Sequence, residues 1–236
     1  MPQSPQPSAP GVSKLAANLA RVKEVLNEQP VKLIAVTKHA SISQIEEVYG
    51  LGVTEFGESR IQDALKKREQ LPPQVALNAN WHFIGHLQSN KVKQAVGNFS
   101  LIHSVDSLKL AQEVSRIAVQ KGLTDKGFEQ AILLQVKLQQ DDNKGGFTAA
   151  DLRAELPAIL ALPGIKVQGL MTISPLTEEP SIWKESFNGL RILKDELNST
   201  FKISLTELSM GMSDDWRDAI ICGSTMIRLG RALFGH

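Results

Sequence analysis

Eight short apolar runs punctuate this chain, and longer stretches with helical spacing lie between them. The runs are VKLIAVTK (31–38), VTEFG (53–57), WHFIGHL (81–87), SLIHSV (100–105), EQAILLQVKL (129–138), IKVQGLMTI (165–173), SLTELSM (204–210) and TMIRLG (225–230). In the intervening segments Ile45, Val48, Tyr49 and Leu51 recur at helical spacing, as do Leu110, Val114, Ile117 and Ala118. Asp106 or Ser107 is placed to cap one helix. Thr148, with Asp151 three residues on, is placed to cap another. Strand alternating with helix predicts parallel strands buried on both faces. Eight such pairs predict an α/β fold, a single closed (β/α)8 TIM barrel. The rival doubly wound sheet calls for a G-x-G-x-x-G turn after its first strand, and Thr37-Lys38-His39-Ala40 is not one.

Length agrees with one barrel. The chain has 236 residues, against roughly 250 for such a fold. The expected organisation is a disordered tail over 1–11, rich in Pro, Ser and Gln, followed by one barrel domain over 12–236. With 26 basic and 25 acidic side chains there is no excess of positive charge, so nucleic acid and anionic membrane are not expected partners. No apolar run approaches the ~20 residues of a membrane span, and the N-terminus lacks the plan of a secretory signal. The single cysteine, Cys222, excludes an internal disulfide and reads as buried packing. A cytoplasmic location is expected.

Barrels of this kind carry their ligand sites at the C-terminal ends of the strands. Lys38 closes the first run. At the rim of an apolar interior its ammonium is expected to be disfavoured, and a neutral amine attacks an aldehyde to form a Schiff base. Position alone leaves a solvated loop lysine as the alternative. The loops after the seventh and eighth strands often make a phosphate site. Here they offer the hydroxyls of Ser209 and Ser213, the bare backbone of Gly211, and Arg228-Leu229-Gly230-Arg231, with Gly230 opening a last helix. Ordinary turn chemistry, with Ser213 capping a helix and Asp214 and Asp215 at its positive end, is compatible with that reading. Arg228, inside an apolar strand, needs a partner or a ligand.

Several segments carry a resemblance to a known family: the AVTK ending at Lys38, Phe56-Gly57-Glu58, WHFIGHLQSNK (81–91), Gly169-Leu170-Met171, the block Ser209–Asp215, and GSTMIRLG (223–230). In this order and over nearly the whole chain they resemble the pyridoxal phosphate homeostasis protein family, whose fold is similar to the N-terminal barrel domain of alanine racemase. The resemblance implies pyridoxal 5′-phosphate (PLP) held covalently through Lys38. It also implies phosphate contacts from Ser209, Gly230 and the backbone near Arg231, and Arg228 beside the pyridine nitrogen. Residue 59 is Ser where many members have Asn, and residue 231 is Arg where a small or hydroxyl residue is common. A contact from Ser59 is therefore open, and at Arg231 only a backbone donor is expected.

His82 either faces the cofactor or is a satisfied core or rim histidine. His39 and His103 lack partners at metal-ligand spacing, so no metal is expected. Asp141-Asp142-Asn143-Lys144-Gly145-Gly146 resembles half of a calcium loop and reads as a βα loop. Racemisation in alanine-racemase-like enzymes needs a second base, a tyrosine on a C-terminal β-domain. This sequence ends soon after the eighth run, and its one tyrosine, Tyr49, lies in a helical segment. A guanidinium at Arg228 also leaves the pyridine nitrogen unprotonated and weakens the electron sink. The expected role is therefore to hold, buffer or deliver PLP to apo-enzymes, as a monomer without robust catalysis. A weak PLP-dependent racemase and a regulatory module sensing PLP occupancy are the alternatives.

Overall fold

A computed structural model describes residues 13–27, 29–138, 145–177 and 179–235. The expected tail and most of the 141–146 stretch lie outside the described residues. Eight strands run β1 (Lys32–Val36), β2 (Glu55–Glu58), β3 (Asn80–Phe83), β4 (Leu101–Val105), β5 (Gln130–Gln135), β6 (Ile165–Met171), β7 (Glu207–Ser209) and β8 (Met226–Leu229). They pair in parallel in chain order, and β8 returns to β1, so the sheet closes into a barrel. Each apolar run contains or overlaps one strand. The helices are α1 (Lys14–Leu26), α2 (Ile42–Gly50), α3 (Ile61–Gln70), α4 (Pro73–Asn78), α5 (Val92–Ala95), α6 (Leu108–Gln120), α7 (Ala149–Leu160), α8 (Pro180–Phe201), α9 (Trp216–Ile221) and α10 (Arg231–Phe234). Among the described residues no helix is long and apolar enough to cross a membrane.

Local chemistry sets the elements. Ser107 caps α6 by accepting from the Leu110 N–H at 3.3 Å, and Leu110, Val114, Ile117 and Ala118 are buried along one face. Asp106, the other candidate, lies one residue outside the cap. Thr148 caps α7, accepting from the Asp151 N–H at 3.0 Å. One element is added and two expectations change. α1 precedes the first strand, capped by Ser13 and buried through Leu15, Leu19 and Val22. Leu51 is not on the buried stripe of α2 but is its exposed C-cap. The third run yields a strand only to Phe83, because the chain then crosses the end of β2. At Gly85 it passes so close to Ser59 that an added Cβ would sit 2.2 Å from the Ser59 carbonyl oxygen.

The main core lies between sheet and helices. Inside the barrel the apolar cluster is small: Ile34, Leu101, Ala131, Leu133, Met171 and Met226. Barrel interiors are usually filled by branched apolar side chains. Here other inward positions are polar, and they lead to the functional end of the barrel.

Candidate functional site

A cavity of about 510 Å³ opens at the C-terminal end of the barrel. Its size is that of a small-molecule site. Val36, Ile84, Met171 and Ile173 give it apolar walls, and Lys38, Ser59, Ser213, Arg228, Gly230 and Arg231 bring polar groups. Of the candidates from the sequence, Lys38, Ser213, Arg228, Gly230 and Arg231 meet on this wall, and Ser209 does not.

Lys38 follows Ile34 and Val36 at the two-residue spacing that keeps strand side chains on one face. Ile34 is in the inner cluster and Val36 is on the cavity wall, so this face turns toward the barrel axis. Lys38 lies two residues beyond β1 and is exposed. The expected burial of its amine is not found; its position depends on how the loop is tied. The neighbouring Thr37 is fully buried. Its N–H donates to the Gly57 carbonyl at 3.0 Å, and its hydroxyl donates to Glu58 Oε1 at 2.7 Å. Lys67 Nζ bonds Glu58 Oε1 at 2.7 Å and the Thr37 carbonyl at 2.5 Å. The Phe-Gly-Glu block thus anchors the loop that presents Lys38.

Opposite, the chain leaves β7 through a tight loop. Asp215, buried, accepts from the Met212 N–H at 2.5 Å and from the Ser174 hydroxyl. Gly211 has φ +96°, and an added Cβ would lie 2.6 Å from the Ala219 Cβ, so its glycine serves packing against α9. It does not line the cavity. Ser213 does not cap α9. Its hydroxyl accepts from the Ala232 N–H at 3.2 Å, joining this loop to α10. Gly230 is the N-cap of α10, and Arg231 is exposed and paired with Asp214 at 2.5 Å. At Gly230 an added Cβ would meet only Val36, at 3.6 Å. Protein packing does not demand glycine there; the open space it leaves belongs to the cavity.

Arg228 forms part of the wall yet is only 5% exposed. Its Nη1 donates to Ser209 Oγ at 2.6 Å and its Nη2 to the Thr172 carbonyl at 3.0 Å. Burial pushes its pKa down to about 10, opposed by the charge of Asp215, so it remains a cation at neutral pH. Ser209 is 0% exposed and sits beneath the wall. The side chain expected to hold a phosphate is instead engaged by Arg228 and by His103, whose Nδ1 lies 2.8 Å from Ser209 Oγ.

Below Ser209 the polar line continues. His103 Nε2 lies 2.9 Å from His82 Nδ1, and His82 Nε2 lies 2.6 Å from Glu55 Oε2. His82 is thus a satisfied core histidine, and His103 has partners that sequence spacing did not suggest. Both are invisible as a pair until β3 and β4 are in register. Burial, and then the neighbouring His82 imidazole and the charges of Arg228 and Lys32, push the His103 imidazole well below its ordinary pKa. At Glu55 burial acts to raise the pKa, but hydrogen bonds from His82 and Asn80 outweigh it and hold it below the usual range. Among the described residues no group of three metal-ligating side chains is found. Cys222 is buried behind the barrel, its thiol pushed up by burial and by Asp218.

A family described as alanine racemase, N-terminal domain, matches residues 12–236. A pyridoxal phosphate homeostasis protein of Synechocystis sp. is 48% identical over 205 residues, which cover 87% of this chain and 91% of that protein. The structure of PipY of Synechococcus elongatus with PLP bound superposes with a TM-score of 0.84 at 41% identity, covering 94% of this chain and 100% of that one. An alanine racemase of Clostridium difficile shares the fold at 18% identity and a TM-score of 0.72, with 56% of its chain covered. This chain belongs to the alanine racemase N-terminal domain family and, within it, to the pyridoxal phosphate homeostasis proteins.

Proposed function

We propose that this protein binds pyridoxal 5′-phosphate in the C-terminal cavity, through Lys38, and holds it for delivery to apo-enzymes in the cytosol. One observation carries this reading. A primary amine (Lys38), a hydroxyl (Ser213), a bare backbone position (Gly230) and a buried guanidinium (Arg228) converge on a single cavity. That set suits an aromatic phosphate with an aldehyde, and the homeostasis proteins similar to this chain support it. PLP supplies an aldehyde, which a primary amine captures reversibly, and a ring that draws electrons when its nitrogen is protonated.

The chain's own residues divide the work. Lys38 offers the amine, held in place through Thr37, Glu58 and Lys67. Ser213 and the backbone at Gly230 and Arg231 would receive the phosphate. Val36, Ile84 and Met171 would cover the ring and exclude water. Arg228 would meet the ring nitrogen as a donor only, since a guanidinium has no acceptor. A donor there favours an unprotonated ring nitrogen, which suits holding over carbanion chemistry.

Catalysis on the racemase pattern needs a second base across the substrate carbon. The chain's one tyrosine, Tyr49, is on α2, its hydroxyl donating to the Gln74 carbonyl at 3.3 Å, away from the cavity. This supports a carrier over a racemase. Titration of the protein with PLP, followed by visible absorbance, tests the function. The wild type is expected to develop a band that Lys38→Ala lacks, and to show no turnover with D- or L-amino acids. A band in Lys38→Ala equal to the wild type's overturns the Lys38 assignment, and fast racemisation overturns the carrier role.

A further inference from the structure

The buried line from Glu55 to Arg228 has one arrangement of protons that leaves no hydroxyl proton unpaired. Arginine only donates, so Ser209 Oγ accepts from Arg228 Nη1 at 2.6 Å. The hydroxyl proton then has His103 Nδ1, 2.8 Å away, as its acceptor. A neutral His103, which its burial favours, carries its proton on Nε2 and donates to His82 Nδ1 at 2.9 Å. His82 in turn donates from Nε2 to the Glu55 carboxylate at 2.6 Å. The reverse order would strand the Ser209 proton and set an imidazole lone pair against a carboxylate.

We propose that Glu55, His82, His103 and Ser209 are positioning residues for Arg228, forming a one-directional hydrogen-bond chain along the barrel interior that fixes the guanidinium beneath the cavity and tunes it toward a bound ring. The chain has a physical reason. Arg228 is buried, and among the described residues none of its hydrogen bonds goes to a carboxylate. Hydrogen bonds in series polarise one another in a low-dielectric interior. Glu55, three side chains away, therefore strengthens Ser209 as an acceptor and acts as a remote counter-charge. The same line links the cavity floor to the opposite end of the barrel, where Glu55 also accepts from Asn80 at 2.7 Å.

The proposal rests on the cofactor reading, and the test separates the two. The proteins compared are wild type, Glu55→Gln, His103→Leu, His103→Gln and Arg228→Met, with the double variants of Arg228→Met. Glu55→Gln keeps shape and removes the charge. His103→Gln can still accept and donate, and His103→Leu cannot. Each is titrated with PLP, the position of the visible band is recorded, and melting is measured alongside. Expected are a roughly three- to tenfold loss of affinity and a displaced band in Glu55→Gln and His103→Leu. His103→Gln is expected to recover part of both, and neither change is expected to deepen when Arg228→Met is already present. Histidine ¹⁵N shifts of the cofactor-free protein are expected to show His82 and His103 as neutral Nε2–H tautomers. Lower melting temperatures with unchanged affinity and band, effects that add to Arg228→Met, or an Nδ1–H tautomer at His103 would overturn the positioning role alone. A wild type that takes up no PLP would overturn the cofactor reading and this proposal with it.

Discussion

Arg228 and Ser209 stand on adjacent strands, and the guanidinium Nη1 meets the serine hydroxyl at 2.6 Å inside the barrel. A buried cation is thereby held by a neutral hydroxyl and a carbonyl, with its pKa lowered to about 10 by burial. Such an arrangement costs folding free energy, and replacing buried charge by an apolar chain of similar length is often neutral or stabilising. Arg228→Met is therefore expected to melt within about 1 kcal/mol of the wild type or above it. Its PLP affinity is expected to fall roughly ten- to a hundredfold, the loss of a charged hydrogen bond. Denaturant unfolding beside a PLP titration checks this. A large loss of stability with normal affinity would make Arg228 a structural residue.

His103, inside the barrel, gives a pH dependence whose sign is fixed by burial. The folded pKa of His103 is lowered well below 6.5, mainly by desolvation. Below about pH 6.5 the unfolded chain takes up a proton that the folded one does not. The contribution of this group is fully present above that pH and is lost as pH falls toward the folded pKa. The slope is at most about 1.4 kcal/mol per pH unit. Between pH 6.5 and 5, His103→Gln is expected to show a shallower loss of stability than the wild type. Equal slopes in the two proteins, measured by denaturant melts, would mean that His103 titrates normally.

Two glycines near the cavity separate packing from binding. Gly85 leaves no room, because its added Cβ would lie 2.2 Å from the Ser59 carbonyl oxygen. Gly85→Ala is expected to cost roughly 1–3 kcal/mol in stability, as overpacking does. Gly230 has room on the protein side, with Val36 at 3.6 Å. Gly230→Ala is expected to leave stability within about 0.5 kcal/mol and to weaken PLP binding by crowding the phosphate. Parallel melts and titrations decide it, and a Gly230→Ala protein that binds normally would move the phosphate elsewhere.

Much of this fold was legible because its period is strong. Each of the eight apolar runs overlaps a strand, and Ser107 and Thr148 cap their helices as their positions suggested. The run at 81–87 misled because apolarity continues through Ile84 and Leu87 after pairing stops at Phe83. Its glycine marks a close crossing of two backbones, which no periodicity reveals. At the site, strand ends pointed to Lys38, Arg228 and Gly230. Ser209, expected at the phosphate, lies buried beneath the cavity wall, since whether a strand-end side chain faces the cavity or the interior depends on register. For the same reason His82 and His103, 21 residues apart in sequence and hydrogen-bonded in the fold, could not be recognised as neighbours.

Reductive trapping bears on the central claim most directly. The protein saturated with PLP is treated with borohydride, digested, and its peptides are mapped by mass. The account predicts one stoichiometric cofactor adduct, on the peptide that carries Lys38, and none at Lys67 or Lys91. An adduct spread over several lysines, or concentrated on one other than Lys38, would contradict it.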